Sequence, residues 1–234
     1  ARGTFILRLP KAAMVRYDVA VVGGGVVGCS TAKHLAEQSA CSVCVIEKEH
    51  RLGAHQSGRN SGVLHPGFNY PPGSRKAAFA TEGTRRMKAY ARAHGIPIEE
   101  FGVVVVATDG EEEARLRDLH SQAAANGVET ELLDRGKLEE YEPHAVGRAE
   151  LHCPEAASID SQQYVNALGR EATNLGVEFF MGHRVEEIDH GGPGAANHRI
   201  ETSNGEIEAD YLLNAAGLYA DELAAELGVG ESYQ

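Results

Sequence analysis

The chain has 234 residues, enough for one large domain or two smaller ones, and its 42% hydrophobic and 24% charged content is that of an ordinary globular protein. A formal charge of −12 at pH 7 repels nucleic acid and anionic membrane surfaces. No apolar run approaches the roughly 20 residues a membrane helix needs, so neither a nucleic-acid partner nor an integral membrane segment is expected.

Residues 1–13 (ARGTFILRLPKAA) are basic and partly apolar but too poorly patterned for a signal peptide; Met14 is the expected natural start, with leader sequence before it. Tyr17 to Val22 (YDVAVV) is a short apolar run ending in glycines and predicts a buried parallel strand. A helix is predicted from Val26 to Gln38, then a second buried strand from Ser42 to Glu47; together they make one βαβ unit. The glycine-rich stretch from Arg51 to Gly73 is too long for an ordinary connector. A helix follows over 74–94 with His94-Gly95 as its stop, a strand over 101–107, and a helix over 111–125 with Glu in its first turn. A strand over 129–133 and a short helix over 134–141 come next. Asp160 caps a helix over 161–175 that Gly176 ends, and a strand covers 177–180. Two or three short strands fill 183–209, with turns at 191–194 and at Asn204-Gly205. A last buried strand over 211–215 leads through Gly217 to a helix over 220–227. The order predicts an α/β, Rossmann-like dinucleotide-binding domain in two pieces, 15–75 and 159–230, with part of an inserted domain at 76–158.

Gly23, Gly25 and Gly28 form GxGxxG between the first strand and helix. Gly23 permits the tight turn, Gly25 lets a pyrophosphate approach the backbone, and Gly28 lets helix and strand pack closely. The helix start at Val26 and Val27 offers N–H groups and a partial positive charge. Glu47 ends the second strand, where a carboxylate accepts hydrogen bonds from ribose hydroxyls and repels a 2′-phosphate. The motif identifies an adenine dinucleotide without separating NAD from FAD; a structural turn beside a surface Glu is the bland alternative. Of the four cysteines, Cys41 and Cys44 form a lone CxxC with no second pair to complete a metal site. Preceding and entering the apolar strand VCVIE, this pair reads as reduced core or near-core thiols; Cys29 and Cys153 are the other two cysteines, and a cytoplasmic compartment fits.

The loop RLGAHQSGRNSGVLHPGFNYPPG, preceded by YDVAVVGGGVVG and VIEKE, resembles the L-2-hydroxyglutarate dehydrogenase/oxidase family. That family lies within the FAD-dependent oxidoreductases that include D-amino-acid and glycerol-3-phosphate oxidases. The likeness continues in SRKAAFATEG, HGIP, VVVVATDGEE, CPEAASIDSQQYV and LLNAAGLYAD, over nearly all of the chain after Met14. It implies FAD as cofactor, 76–158 as part of an α+β substrate domain, and a chain cut short at its carboxyl end. It also implies oxidation of a 2-hydroxy acid, L-2-hydroxyglutarate first. Another flavin oxidoreductase, acting on an amino acid or glycerol 3-phosphate, is one alternative; a truncated FAD-binding module without activity is the other. Oxygen, a quinone or another carrier is left open as electron acceptor, and peripheral membrane contact is left open with it.

The resemblance adds Lys48, Ser57, Asn60, Ser61, Gly62, Val185, Ala215 and Gly217 to the cofactor contacts. For a hydroxy acid, a base must take the hydroxyl proton while hydride leaves C2, and His65 in the flavin-side loop is the first choice. Arg59 and Lys76 are candidates to grip substrate carboxylates, and Tyr70 to supply a hydroxyl. The plainer reading of His65 is a histidine that only hydrogen-bonds flavin or backbone, and that of Arg59 and Lys76 a surface or phosphate-side charge. His55 reads as structural or flavin-adjacent. The family often carries His in place of Arg59, HSGIYY in place of HPGFNY, and CGKLIVA in place of FGVVVVA; these departures fall on the substrate side.

Overall fold

The computed structural model describes residues 15–134, 136–137, 142, 144–190 and 197–230. The expected leader, most of the short helix over 134–141 and the turn at 191–194 lie outside the described residues. The chain opens with β1 (Val15–Val22), α1 (Val26–Gln38) and β2 (Val43–Glu47). It continues through β3 (Val63–Leu64), α2 (Arg75–His94), β4 (Ile98–Glu99), β5 (Val103–Ala107), α3 (Gly110–Ala125), β6 (Glu131–Asp134), β7 (Ala149–Cys153) and β8 (Ala157–Ile159). Last come α4 (Ser161–Asn174), β9 (Glu178–Met181), β10 (Val185–Asp189), β11 (His198–Thr202), β12 (Gly205–Asn214) and α5 (Ala220–Glu226).

Two compact units result. One takes the described residues up to Arg59 and those from Gln162 onward; the other is Asn60–Ser161. Segment 60–75, grouped with the first piece in the sequence reading, packs within the second unit.

The first unit is one six-stranded sheet in the order β10-β11-β12-β1-β2-β9. Pairings β12-β1, β1-β2 and β2-β9 are parallel, and β10-β11-β12 is an antiparallel meander. Alternation along β1 and β2 buries both faces. Val19, Val21, Val43 and Val45 pack with Ala32 of α1 and Ala172 of α4. Ala20, Val22, Cys44 and Ile46 pack with Ile188, Ile200 and Ile207 of the meander and Leu223 of α5. The strand expected over 211–215 is the second half of β12. It is not fully buried: β11 pairs with β12 only as far as Ala209, and Tyr211 is 69% exposed.

In the second unit, β3-β8-β4 and β5-β7-β6 form two small antiparallel sheets. Its core gathers Phe68, Leu116, Ala123, Val128 and Leu151. Helix α2 starts where the Ser74 hydroxyl accepts the Ala77 N–H at 3.1 Å, and it ends at left-handed Gly95. Asp109 caps α3 by accepting the Glu112 N–H at 2.9 Å, so the helix starts at Gly110, one residue before the expected start. Strand β5 begins at Val103, not Phe101, because Gly102 turns the chain at φ 77°.

Candidate cofactor site

The carboxyl ends of β1, β2, β9 and β12 converge on one cavity, the place where open parallel sheets bind ligands. Its geometry begins with the glycine turn. Gly23 takes φ 115°, and a Cβ there would stand 2.3 Å from the Ala215 carbonyl oxygen. A Cβ at Gly28 would stand 1.8 Å from the Gly23 carbonyl oxygen, so backbone itself fills the space. Gly25 is the N-cap of α1 without a capping side chain, and no acid occupies the first turn. The positive end of the helix is therefore not neutralised from within. The Val26 N–H donates to the Ser57 hydroxyl at 3.0 Å, which brings the long loop to the helix start.

Glu47 lies at the end of β2 and is only 7% exposed. One carboxylate oxygen accepts the Gly24 N–H at 2.6 Å and the other accepts the Glu49 N–H at 2.9 Å. A carboxylate has about four lone-pair positions, so two remain for ribose hydroxyls after these bonds. Val22, Ile46, Val185 and Leu223 give the cavity apolar walls; Lys48, His183 and Arg184 bring nitrogen to it, and Glu222 and Glu226 of α5 bring two more carboxylates. The residues present therefore fit an adenine dinucleotide: an apolar slot, an acid with spare acceptors, and a side-chain-free helix start.

Beside the slot, the Lys48 ammonium stands 3.2 Å from the centroid of the Tyr219 ring, a cation–π contact, and His55 meets the same ring edge-on at 6.1 Å. The His55 ring in turn bonds Glu49 at 2.8 Å, and that bond holds the Glu49 carboxyl below its usual range.

Of the expected cofactor residues, Gly23, Gly25, Val26, Gly28, Glu47 and Ser57 meet around the turn, and Lys48 and Val185 line the cavity. The Ala215 N–H donates to the Val22 carbonyl, and Gly217 opens a 3₁₀ turn at φ 62°. Val27 is 63% exposed. Asn60, Ser61 and Gly62 belong to the second unit. There the Asn60 side chain accepts the Gly62 N–H at 2.8 Å, and a Cβ at Gly62 would stand 2.4 Å from the Ile159 carbonyl oxygen.

Arg59 is an exposed residue ending the 3₁₀ turn Gln56–Gly58. His65, Tyr70 and Lys76 are in the second unit. His65 is exposed, and its carbonyl accepts the Thr84 hydroxyl. Lys76 and Tyr70 are brought together, the ammonium 4.5 Å from the ring centroid. Tyr219, His183 and Arg184 escaped the sequence reading; the Gly182-His183 turn after a strand was their one local signal. Cys29 and Cys44 are buried, which pushes both thiols up to about 12, whereas Cys41 is exposed and so is not a core thiol.

These features define a dinucleotide-binding α/β protein with a second unit inserted in its chain. The family model for FAD dependent oxidoreductases matches residues 18–233. The mitochondrial L-2-hydroxyglutarate dehydrogenase of Caenorhabditis elegans is 36% identical over 97% of this chain and 55% of its own length. The L-2-hydroxyglutarate dehydrogenase of Escherichia coli strain K12 is 35% identical over 91% of this chain and 50% of its own. Among solved structures, L-alpha-glycerophosphate oxidase from Mycoplasma pneumoniae, with FAD bound, superposes with a TM-score of 0.82 at 27% identity. It is covered over 57% of its length, against 91% of this chain. Glycine oxidase from Geobacillus kaustophilus gives 0.82 at 26% identity, over 93% of this chain and 60% of its own. The chain belongs to the FAD-dependent oxidoreductase family. It spans about half the length of the curated relatives it matches. Among the described residues, no helix is long and apolar enough to cross a membrane.

Proposed function

We propose that this chain binds FAD in its first unit and serves the oxidation of a 2-hydroxy acid, L-2-hydroxyglutarate to 2-oxoglutarate, with the second unit as part of the substrate domain. The observation that carries the cofactor reading is the buried Glu47 carboxylate, held by two backbone N–H groups with acceptor capacity left toward the cavity. Similarity to L-2-hydroxyglutarate dehydrogenases supports the substrate.

Bound flavin supplies the hydride acceptor. In this reading the start of α1 and Ser57 bind the pyrophosphate, and Glu47 orients the ribose. Asn60, Ser61, Gly62, Ala215 and Gly217 approach the cofactor through small or polar groups. The His65 imidazole takes the proton from the substrate C2 hydroxyl, and Arg59 and Lys76 hold the carboxylates, with Tyr70 donating its hydroxyl. Cytoplasmic placement belongs to the same reading.

Anaerobic addition of L-2-hydroxyglutarate to the FAD-loaded protein tests it. Bleaching of the visible flavin band by the L isomer and not by the D isomer is expected. Bleaching by glycine or glycerol 3-phosphate instead replaces the substrate assignment, and a flavin-loaded protein inert to all of them is a binding module.

A further inference from the structure

One side chain of α4 bonds the loop that follows β2 at Leu52 and packs against it at Gly58. The Gln162 amide nitrogen donates to the Leu52 carbonyl at 2.9 Å and to the Asn166 side chain at 3.1 Å. Its amide oxygen is buried against Gly58, where a Cβ would stand only 2.2 Å away. That oxygen has no hydrogen-bond partner among the described residues. An orphaned buried acceptor is a cost that an apolar side chain of the same shape would avoid. Donation to Leu52 is what the amide supplies that such a side chain cannot.

Leu52 in turn fits between two glycines. A Cβ at Gly24 would come 2.8 Å from one of its methyls, and a Cβ at Gly169 would come 2.3 Å from the other. The next residue, Gly53, donates its N–H to the Gly24 carbonyl at 2.9 Å. Gln162 thus holds residue 52, at the phosphate turn, by a hydrogen bond and packs its amide oxygen against Gly58. Between them is Ser57, whose hydroxyl meets the Val26 N–H at the start of α1.

Resting on the reading of this unit as an FAD site, we infer that Gln162 is a positioning residue for the cofactor's pyrophosphate, acting through the loop that sets Ser57 at the mouth of α1. It touches no part of the ligand itself. Its effect is on how firmly the phosphate-side donors are arranged before the ligand arrives, which is a contribution to affinity by preorganisation.

The test uses the whole chain and three ligands, FAD, ADP and adenosine, with binding read by flavin fluorescence quenching and calorimetry. Gln162→Met keeps the shape and removes both donors. We expect it to weaken FAD and ADP by roughly tenfold, the scale of one hydrogen bond to a charged group, while adenosine binding and the melting temperature of the ligand-free protein stay unchanged. Combined with Ser57→Ala it adds little further loss, because both act at one place. FAD binding equal to wild type, equal weakening of adenosine, or full additivity with Ser57→Ala overturns the proposal. If Gln162→Met does not fold, Gln162→Glu carries the test. Only its protonated form can donate to Leu52, so its FAD affinity relative to wild type recovers as pH falls; a constant ratio overturns the proposal. A wild-type chain that takes up no FAD defeats the cofactor reading and this proposal with it, whereas a yellow wild type with an unaffected variant defeats this proposal alone.

Discussion

Among the described residues each unit buries one glutamate, and the two are treated in opposite ways. Glu47 in the first unit receives a backbone N–H on each oxygen and still faces a cavity. Glu150 in the second unit, 0% exposed on the central strand β7, has no hydrogen-bond partner for either oxygen among the described residues. Buried carboxylates cost free energy unless bonded, so the first arrangement is built for the charged form and the second tolerates an acid. Around the first cavity, backbone packs on backbone at distances that leave no room for a Cβ. In the second unit the residues proposed for chemistry, His65 and Lys76, are exposed side chains.

The largest expected effect breaks the tightest contact of the first unit. Gly28→Ala places a Cβ 1.8 Å from the Gly23 carbonyl oxygen. Backbone cannot yield there as a flexible side chain would, and overpacking on this scale costs about 3 kcal/mol or more. Calorimetry should show a melting temperature lower by roughly 6–12 °C, with FAD uptake lost. A variant that melts and binds like wild type would mean the turn is looser than its geometry indicates.

His65→Ala is the matching change in the second unit and should separate chemistry from binding. Flavin reduction by substrate slows by roughly 100-fold, the scale of losing a general base, while FAD affinity and melting temperature hold. Stopped-flow reduction at unchanged rate removes His65 from the proton transfer. Loss of FAD along with rate would instead make it a structural residue of its loop.

Glu47→Gln sharpens the contrast between the two glutamates. The amide keeps one oxygen for one of the two N–H donors but turns an NH₂ group toward the other, so one charge-assisted bond becomes a donor–donor clash. Such bonds are worth about 1.5–3 kcal/mol, and part of that loss falls on the ligand. FAD affinity should drop by roughly tenfold; undiminished affinity would show that the ribose does not use this carboxylate.

What could be read in advance follows the same division. The first βαβ unit was legible because each of its constraints is local: a strand ending in glycines, a helix starting at Val26, and an acid closing the next strand. The stop at Gly95 and the glutamates at the start of α3 placed α2 and α3 to within a residue for the same reason. Gln162 was not legible, because its partner Leu52 is 110 residues away and nothing in SQQYV announces it. Tyr219 and His183 come to the cavity only when β12 and β9 take their places beside β1 and β2. The two- and three-residue strands β3, β4 and β8 have no periodicity to read, and they are what draws segment 60–75 into the second unit.

The smallest effect concerns Glu150. Burial raises its carboxyl above the ordinary range, opposed by the nearby His152 and reinforced to a lesser degree by Glu131. Val106 and Leu133, its cross-strand neighbours, add no charge. A folded-state pKa above the unfolded one means the folded protein holds its proton longer as pH rises. Stability is therefore full below the unfolded pKa and is lost as pH climbs toward the folded one, after which the loss is constant. Glu150→Gln stays neutral throughout. At neutral pH it should melt roughly 2–4 °C higher than wild type, the response of a chain this size to about 1 kcal/mol, and the difference should close as pH falls into the ordinary carboxylate range. The contrast with Glu47→Gln is then one of sign: the same substitution weakens the unit that bonds its acid and strengthens the unit that does not. A difference that persists unchanged into acid would put its origin in packing and not in the charge.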